Sequence, residues 1–242
     1  MKIPKDTKYA LGVLRSGLKL GDILLLNDTP DNTTFKHTLI EVGQAATSVK
    51  VTRENIGQAK MVHALIWIGD GSLDGIDVAE ASGEAGQVRA TFVRAGTYSV
   101  FRCMNRDLAS RAVDAASNWS RHGTMAYAKR KAITSIGHSD ELGRHGRARA
   151  QAYAGQIDRE GPAWGGGRSF CSEFVVACYQ AAAIDLGLAL EDSDVLCCDA
   201  KHCSVRALHD RLLHDWLFRE DGLFVHAGDL TLDLGLSVAE TI

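Results

Sequence analysis

One apolar stretch constrains this chain more than any other: Phe170-Cys171-Ser172-Glu173-Phe174-Val175-Val176-Ala177-Cys178-Tyr179-Gln180. At helical spacing Cys171, Val175, Cys178 and Ala182 share one face, so a core helix is expected from 170 to about 184. Gly165 to Gly167 lie just upstream and Ser169 is the expected N-cap. That cap puts Cys171 in the first turn, where unpaired backbone N–H groups and the helix dipole favour an anion. A helix N-terminus lowers a thiol from its usual pKa of roughly 8.5 toward the reactive thiolate. Two readings of Cys171 stand side by side at this point: a small core residue, since free cysteine is among the most buried types, or a nucleophile.

The rest of the chain supplies what such a helix would pack on. Strands are expected over 19–26, 62–68, 76–82, 88–92 and 98–102, the first with apolar residues on both sides and therefore central. Gly69, Gly71 and Gly75 break the second from the third and make them a hairpin. Helices are expected over 107–121, from Met125 toward Ile133, and over 205–218, with a weaker helix inside 35–46 and a short strand at 50–52. Strands first and helices later predict an α+β fold. With 242 residues the chain is long enough for one sizeable core. We expect one domain over 1–242, with insertions at about 28–60 and 137–168 and a helical extension from about 205.

A formal net charge of -3 argues against nucleic acid as the main partner. No stretch approaches the length of a membrane span. The residues Met1 to Asp6 are charged and lead into no apolar run, so they do not read as a secretory signal, and synthesis in the cytoplasm is expected. The six cysteines lack the spacing of a small disulfide framework. Cys197, Cys198, His202 and Cys203 cluster, but without a C-x-x-C pair. No metal and no other cofactor is expected.

A nucleophilic cysteine needs a base, and the base an orienting group. Of nine histidines, only His63 opens a strongly apolar strand; it is either a hydrogen-bonded core histidine or a catalytic one. If Ile68 pairs with Asp77, Leu65 lies opposite Glu80 and His63 opposite Ser82. His63, Glu80 and Ser82 then share a face, with Glu80 a diagonal neighbour of His63. Glu80 sits among Val78, Ala79 and Ala81. Either it faces water on a half-exposed strand, or it is buried and requires a partner such as an imidazole. A slip of one residue would separate the two.

Gly21-Asp22-Ile23, then Val62-His63-Ala64-Leu65-Ile66-Trp67-Ile68-Gly69, then Val78-Ala79-Glu80-Ala81, and finally Phe170-Cys171-Ser172-Glu173-Phe174-Val175 together resemble the circularly permuted branch of the NlpC-type papain-like cysteine peptidases, the YiiX-like group. The matching motifs run from about residue 20 to 182, roughly two thirds of the chain. The resemblance implies a permuted papain-like fold, with the cysteine helix packed on a small antiparallel sheet or barrel. It implies Cys171 as nucleophile, His63 as base and Glu80 as orienting residue, with the Cys171 N–H helping to hold an oxyanion. Tyr127 is the candidate for a tyrosine that relatives carry near the site, with a core tyrosine as the other reading. Ser82 is a second candidate for substrate contact.

The activity implied is that of a cysteine amidase or peptidase acting on bacterial cell-wall stem peptides. Some relatives are antibacterial effectors, which would bring a secretion-system carrier and a cognate inhibitor protein as partners and delivery to a target-cell periplasm. A thiol acyltransferase acting on lipid, and a binding module without catalysis, are the alternative functions.

Overall fold

The computed structural model describes residues 12–27, 61–69, 76–83, 85–121, 125–128, 139–159 and 168–226. The fold is α+β: a curled eight-stranded sheet with four α-helices among the described residues. The strands are β1 (Ile23–Asn27), β2 (Met61–Trp67), β3 (Val78–Ser82), β4 (Gln87–Thr91), β5 (Gly96–Cys103), β6 (Ala126–Tyr127), β7 (Arg168–Ser169) and β8 (Phe218–His226), in the order β7-β6-β4-β3-β2-β1-β5-β8. Every neighbouring pair is antiparallel except β6 and β7.

Strand alternation builds two cores, one on each side of the sheet. Ile23, Leu25, Ala64, Ile66, Ala79 and Phe101 face the helices. Leu24, Leu65, Trp67, Val78, Tyr98, Val100 and Phe224 fill the opposite side. β1 therefore carries buried apolar groups on both faces, as expected of a central strand. Its entry is a tight corner. Gly21 adopts φ +82°, and a Cβ there would sit 2.8 Å from the Ala109 Cβ. Asp22 receives the Arg102 Nε and Nη2 at 3.0 and 2.8 Å and the Lys19 N–H at 2.8 Å. The Tyr179 hydroxyl donates to the Gly21 carbonyl. The Gly-Asp pair thus ties the start of β1 to the helical layer.

The helices are α1 (Arg106–Ser120), α2 (Arg144–Ala154), α3 (Cys171–Asp185) and α4 (Val205–His214). α1 starts where the Asn105 side chain accepts from the Asp107 and Leu108 N–H groups, and it buries Leu108, Ala112, Ala115 and Trp119. Every residue of α3 from Cys171 to Ala183 is buried, which makes it the axis of the helical layer. Its few polar groups bind the chain beyond it. Ser172 Oγ donates to the Cys203 carbonyl at 2.6 Å, and Gln180 Nε2 donates to the Leu196 and Cys198 carbonyls at 2.8 and 2.6 Å.

Three local expectations are corrected. Residues 126–127 form a strand rather than the start of a helix, because Ala126 pairs with Gln87 and Arg168; the remainder of that expected helix, 129–133, lies outside the described residues. Within 137–168 the chain forms α2, whose Ala150 and Tyr153 enter the main core beside α3. The helical extension from 205 ends at His214, and the chain returns as β8 along the free side of β5. α3 is preceded by Phe170 with no side-chain cap, while Ser169 belongs to β7 and donates to the Phe170 carbonyl. The expected elements at 35–46 and 50–52 lie outside the described residues.

Candidate active site

The β2–β3 hairpin has the register that follows from Ile68 opposite Asp77: Leu65 opposite Glu80, Ile66 opposite Ala79 and Trp67 opposite Val78. Glu80 is buried, and its Oε2 accepts from His63 Nε2 at 2.6 Å. That bond leaves Nδ1 as the ring nitrogen for the Cys171 thiol, to which His63 is hydrogen-bonded. Cys171 is the first residue of α3. No side-chain cap takes the N–H groups of that turn, and the Ser172 N–H reaches the Cys171 sulfur, as does the Ala64 N–H from β2. The His63 side chain remains 18% exposed while that of Glu80 is 1% exposed, so a substrate can reach the ring but not the carboxylate.

The electrostatics follow from these contacts. Burial works against charge on all three groups. For His63 the hydrogen bonds to Cys171 and Glu80 outweigh it and raise the pKa to about 10. For Glu80 the same hydrogen bond, the His63 charge, and Arg94 and Arg89 bring the pKa down to about 2. For Cys171 the His63 contact and the two backbone N–H groups overcome burial and lower the thiol below its ordinary value. The group is built to hold a thiolate beside an imidazolium.

Tyr127 completes this arrangement. It lies on β6, and its hydroxyl hydrogen-bonds the Cys171 sulfur. Burial and the nearby thiolate both raise its pKa, so the hydroxyl keeps its proton and acts as a donor. Its ring lies against Gly83, where an added Cβ would approach the ring to 3.0 Å; the absence of a side chain there lets Tyr127 reach the sulfur. Ser82 is buried at the end of β3, and its Oγ accepts from the Ala85 N–H at 3.2 Å and from Arg94 Nη2 at 3.3 Å. It therefore braces the β3–β4 turn and touches the charged cluster from behind.

Two residues at the site were not singled out from the sequence. Arg89, on β4 directly opposite Glu80, donates from Nε and Nη2 to Glu80 Oε1 at 3.0 and 2.9 Å. Arg94 Nη2 reaches the same oxygen at 3.4 Å. Extending the pairing from β3 to β4 would have found Arg89, because strand residues directly opposite share a face. Arg94 follows the strand and had no such signal.

The second cysteine cluster is arranged differently. Cys198 and Cys203 are buried and hydrogen-bonded to each other, whereas His202 lies 3.8 Å from Asp199. Among the described residues no group of three or more His, Cys, Asp or Glu side chains is placed to hold a metal ion. Nor is any described helix long and apolar enough to cross a membrane. Comparisons with protein families, with curated proteins and with solved structures found no match to this chain.

Proposed function

We propose that the protein is a cysteine hydrolase that cleaves an amide bond through an acyl-enzyme. The observation that carries this reading is the continuous line from thiol to imidazole to buried carboxylate, closed by the 2.6 Å bond between His63 Nε2 and Glu80. The Cys171 thiolate attacks the substrate carbonyl carbon, and the carbonyl electron pair moves onto oxygen. We assign the Cys171 N–H and the Tyr127 hydroxyl as the donors to that developing charge. The tetrahedral species collapses as His63 Nδ1 gives its proton to the departing amine, leaving an acyl-thioester. His63, now neutral, takes a proton from water, which attacks the thioester carbonyl and releases the acid. The sulfur leaves as thiolate and the imidazolium is restored. Glu80 holds the ring in one orientation and stays ionised throughout.

The substrate class we propose is a bacterial cell-wall stem peptide, with the protein acting as an antibacterial effector carried by a secretion system and countered by an inhibitor protein. The likeness of the His63 hairpin and Cys171 helix motifs to the permuted NlpC-type enzymes supports this. Purified peptidoglycan incubated with the protein, digested with a muramidase and examined by mass spectrometry is expected to show new stem-peptide termini. The Cys171→Ala protein should produce none. Intact stem peptides after incubation with the wild-type protein would remove this substrate. Acyl transfer from labelled phospholipid under the same conditions would replace it with the acyltransferase reading.

A further inference from the structure

We propose that Arg89 and Arg94 are positioning residues for the reacting pair: a cationic clamp on Glu80 that orients it toward His63 and sets the pH at which Cys171 becomes a thiolate. This deepens the cysteine-hydrolase reading and rests on Cys171 and His63 being its reacting pair.

The geometry divides the two carboxylate oxygens of Glu80 between two tasks. Oε1 receives Arg89 Nε at 3.0 Å, Arg89 Nη2 at 2.9 Å and Arg94 Nη2 at 3.4 Å. Oε2 receives His63 Nε2 at 2.6 Å. A buried carboxylate has about four acceptor sites and loses stability for each left empty. With Oε1 occupied by the guanidiniums, the carboxylate plane cannot turn without breaking charge-assisted bonds. Oε2 is thereby fixed where the ring needs it. Arg94 is steadied in turn by Ser82 Oγ at 3.3 Å, and its carbonyl accepts from the Tyr98 hydroxyl at 2.9 Å.

The charge count gives the clamp its second effect. Glu80 carries one negative charge and the two arginines carry two positive charges. The Cys171–His63 pair contributes zero net charge, whether both members are neutral or both are ionised. The cluster is therefore net positive by one. Among the described residues, the charged or titratable groups around Glu80 are His63 from β2, Arg89 from β4, Arg94 from the connection between β4 and β5, and Tyr98 from β5; Cys171 from α3 lies beyond His63, with the protonated Tyr127 of β6 against its sulfur. Tyr98 adds no charge, because burial and Glu80 push its hydroxyl up to about 12. A positive surplus favours the anionic sulfur and disfavours the imidazolium. Removing one guanidinium makes proton loss harder from both members of the pair.

The test needs no substrate. Iodoacetamide reacts with the thiolate, and mass spectrometry of the peptide containing Cys171 isolates its alkylation rate at each pH. Arg89→Gln is expected to raise the alkylation midpoint by about half to one pH unit. Arg94→Gln should raise it by less, because Arg94 is 43% exposed and makes the longer contact. Arg89→Lys keeps the charge but loses the fork. It should hold the wild-type midpoint while its rate against peptidoglycan fragments falls. Wild-type midpoints in both Gln variants, with circular dichroism showing them folded, would overturn the proposal. A shift in Arg89→Lys as large as in Arg89→Gln would overturn the charge effect. If Arg89→Gln does not fold, Arg94→Gln and Arg89→Lys decide by the same criteria. A shifted midpoint in a protein that leaves peptidoglycan intact would leave the clamp standing and remove only the substrate.

Discussion

Two thiols on one helix behave in opposite ways. Cys171 and Cys178 are both buried in α3, two turns apart. The Cys178 thiol is pushed well above its ordinary pKa by burial, with only a contact to its own backbone against it. The Cys171 thiol is pulled down, although burial opposes charge there too, because His63 and the Ala64 and Ser172 N–H groups face it. The difference lies in where on the helix each residue sits. Mid-helix N–H groups are spent on the carbonyls four residues earlier, whereas those of the first turn are not. A buried cysteine is drawn toward the thiolate when it stands at a helix start and an imidazole faces it from elsewhere in the fold.

The largest expected effect breaks the reactive end outright. Cys171→Ala and His63→Ala should each reduce turnover of stem-peptide fragments by about 10⁴ or more with the protein still folded. The double variant should be no worse than either single one, since the two act as a unit. Full turnover in either folded single variant would abolish the distinction between the two thiols.

A weaker break comes from Glu80→Gln, which keeps size and an acceptor oxygen but loses charge. The rate should fall by about 10- to 100-fold, less than for Cys171→Ala, and the Cys171 alkylation midpoint should rise, because loss of the direct charged contact to His63 leaves the ring neutral beside the sulfur and outweighs the added positive surplus. An unchanged rate and alkylation profile would mean that Glu80 does not orient His63. The same pair of proteins reports on stability. The folded pKa of Glu80 lies at about 2, below its ordinary 4.5, so its contribution is complete above pH 4.5 and is lost as the pH falls toward 2. The gap in Tm between wild type and Glu80→Gln should be constant between about pH 4.5 and 6.5, close as the pH falls toward 2, and narrow again as His63 loses its proton toward pH 10. A gap independent of pH would show that no buried charge is involved.

Tyr127→Phe should cost about tenfold in rate, with little change in stability, if the hydroxyl serves the reacting sulfur and the oxyanion. A rate equal to wild type would leave Tyr127 as packing. The smallest effect on activity is expected at the other thiol. Cys178→Ala should leave turnover and the Cys171 alkylation profile as they are and lower stability by about 1–2 kcal/mol through the cavity it creates. Alkylation of the folded wild-type protein should label Cys171 and not Cys178, and equal labelling of both would undo the comparison.

Much of this site could be read along the chain where local periodicity decides it. The glycine break between residues 62–68 and 76–82 marked a hairpin, and supposing Ile68 opposite Asp77 placed Leu65 opposite Glu80, the pairing observed; both strands bury residues on both faces, so the apolar pattern alone did not choose that register. The Arg89 contact followed the same logic one strand further. The short strand at Ala126–Tyr127 had no such signature. Two residues are too few to show a period, and their state is decided by the partners Gln87, Arg168 and Ser169. β8 was hidden for a related reason. Phe218, Arg219, Glu220, Asp221 and Gly222 carry little alternation, and the strand exists because β5 offers it a free edge.

By itself the sequence determined that a largely apolar helix carries a cysteine in its first turn, that a histidine opens an apolar strand, and that a carboxylate lies on the strand following the glycine break, diagonal to the histidine in one register. These are consequences of side-chain period and burial, which act over a few residues. The tertiary structure alone decided that Tyr127 reaches the sulfur past Gly83, that Arg94 folds back onto Glu80, and that the basic segment around α2 packs into the core through Ala150 and Tyr153. Those contacts join parts of the chain that share no local period, so they form only when the cores on both sides of the sheet have brought the strands and helices together.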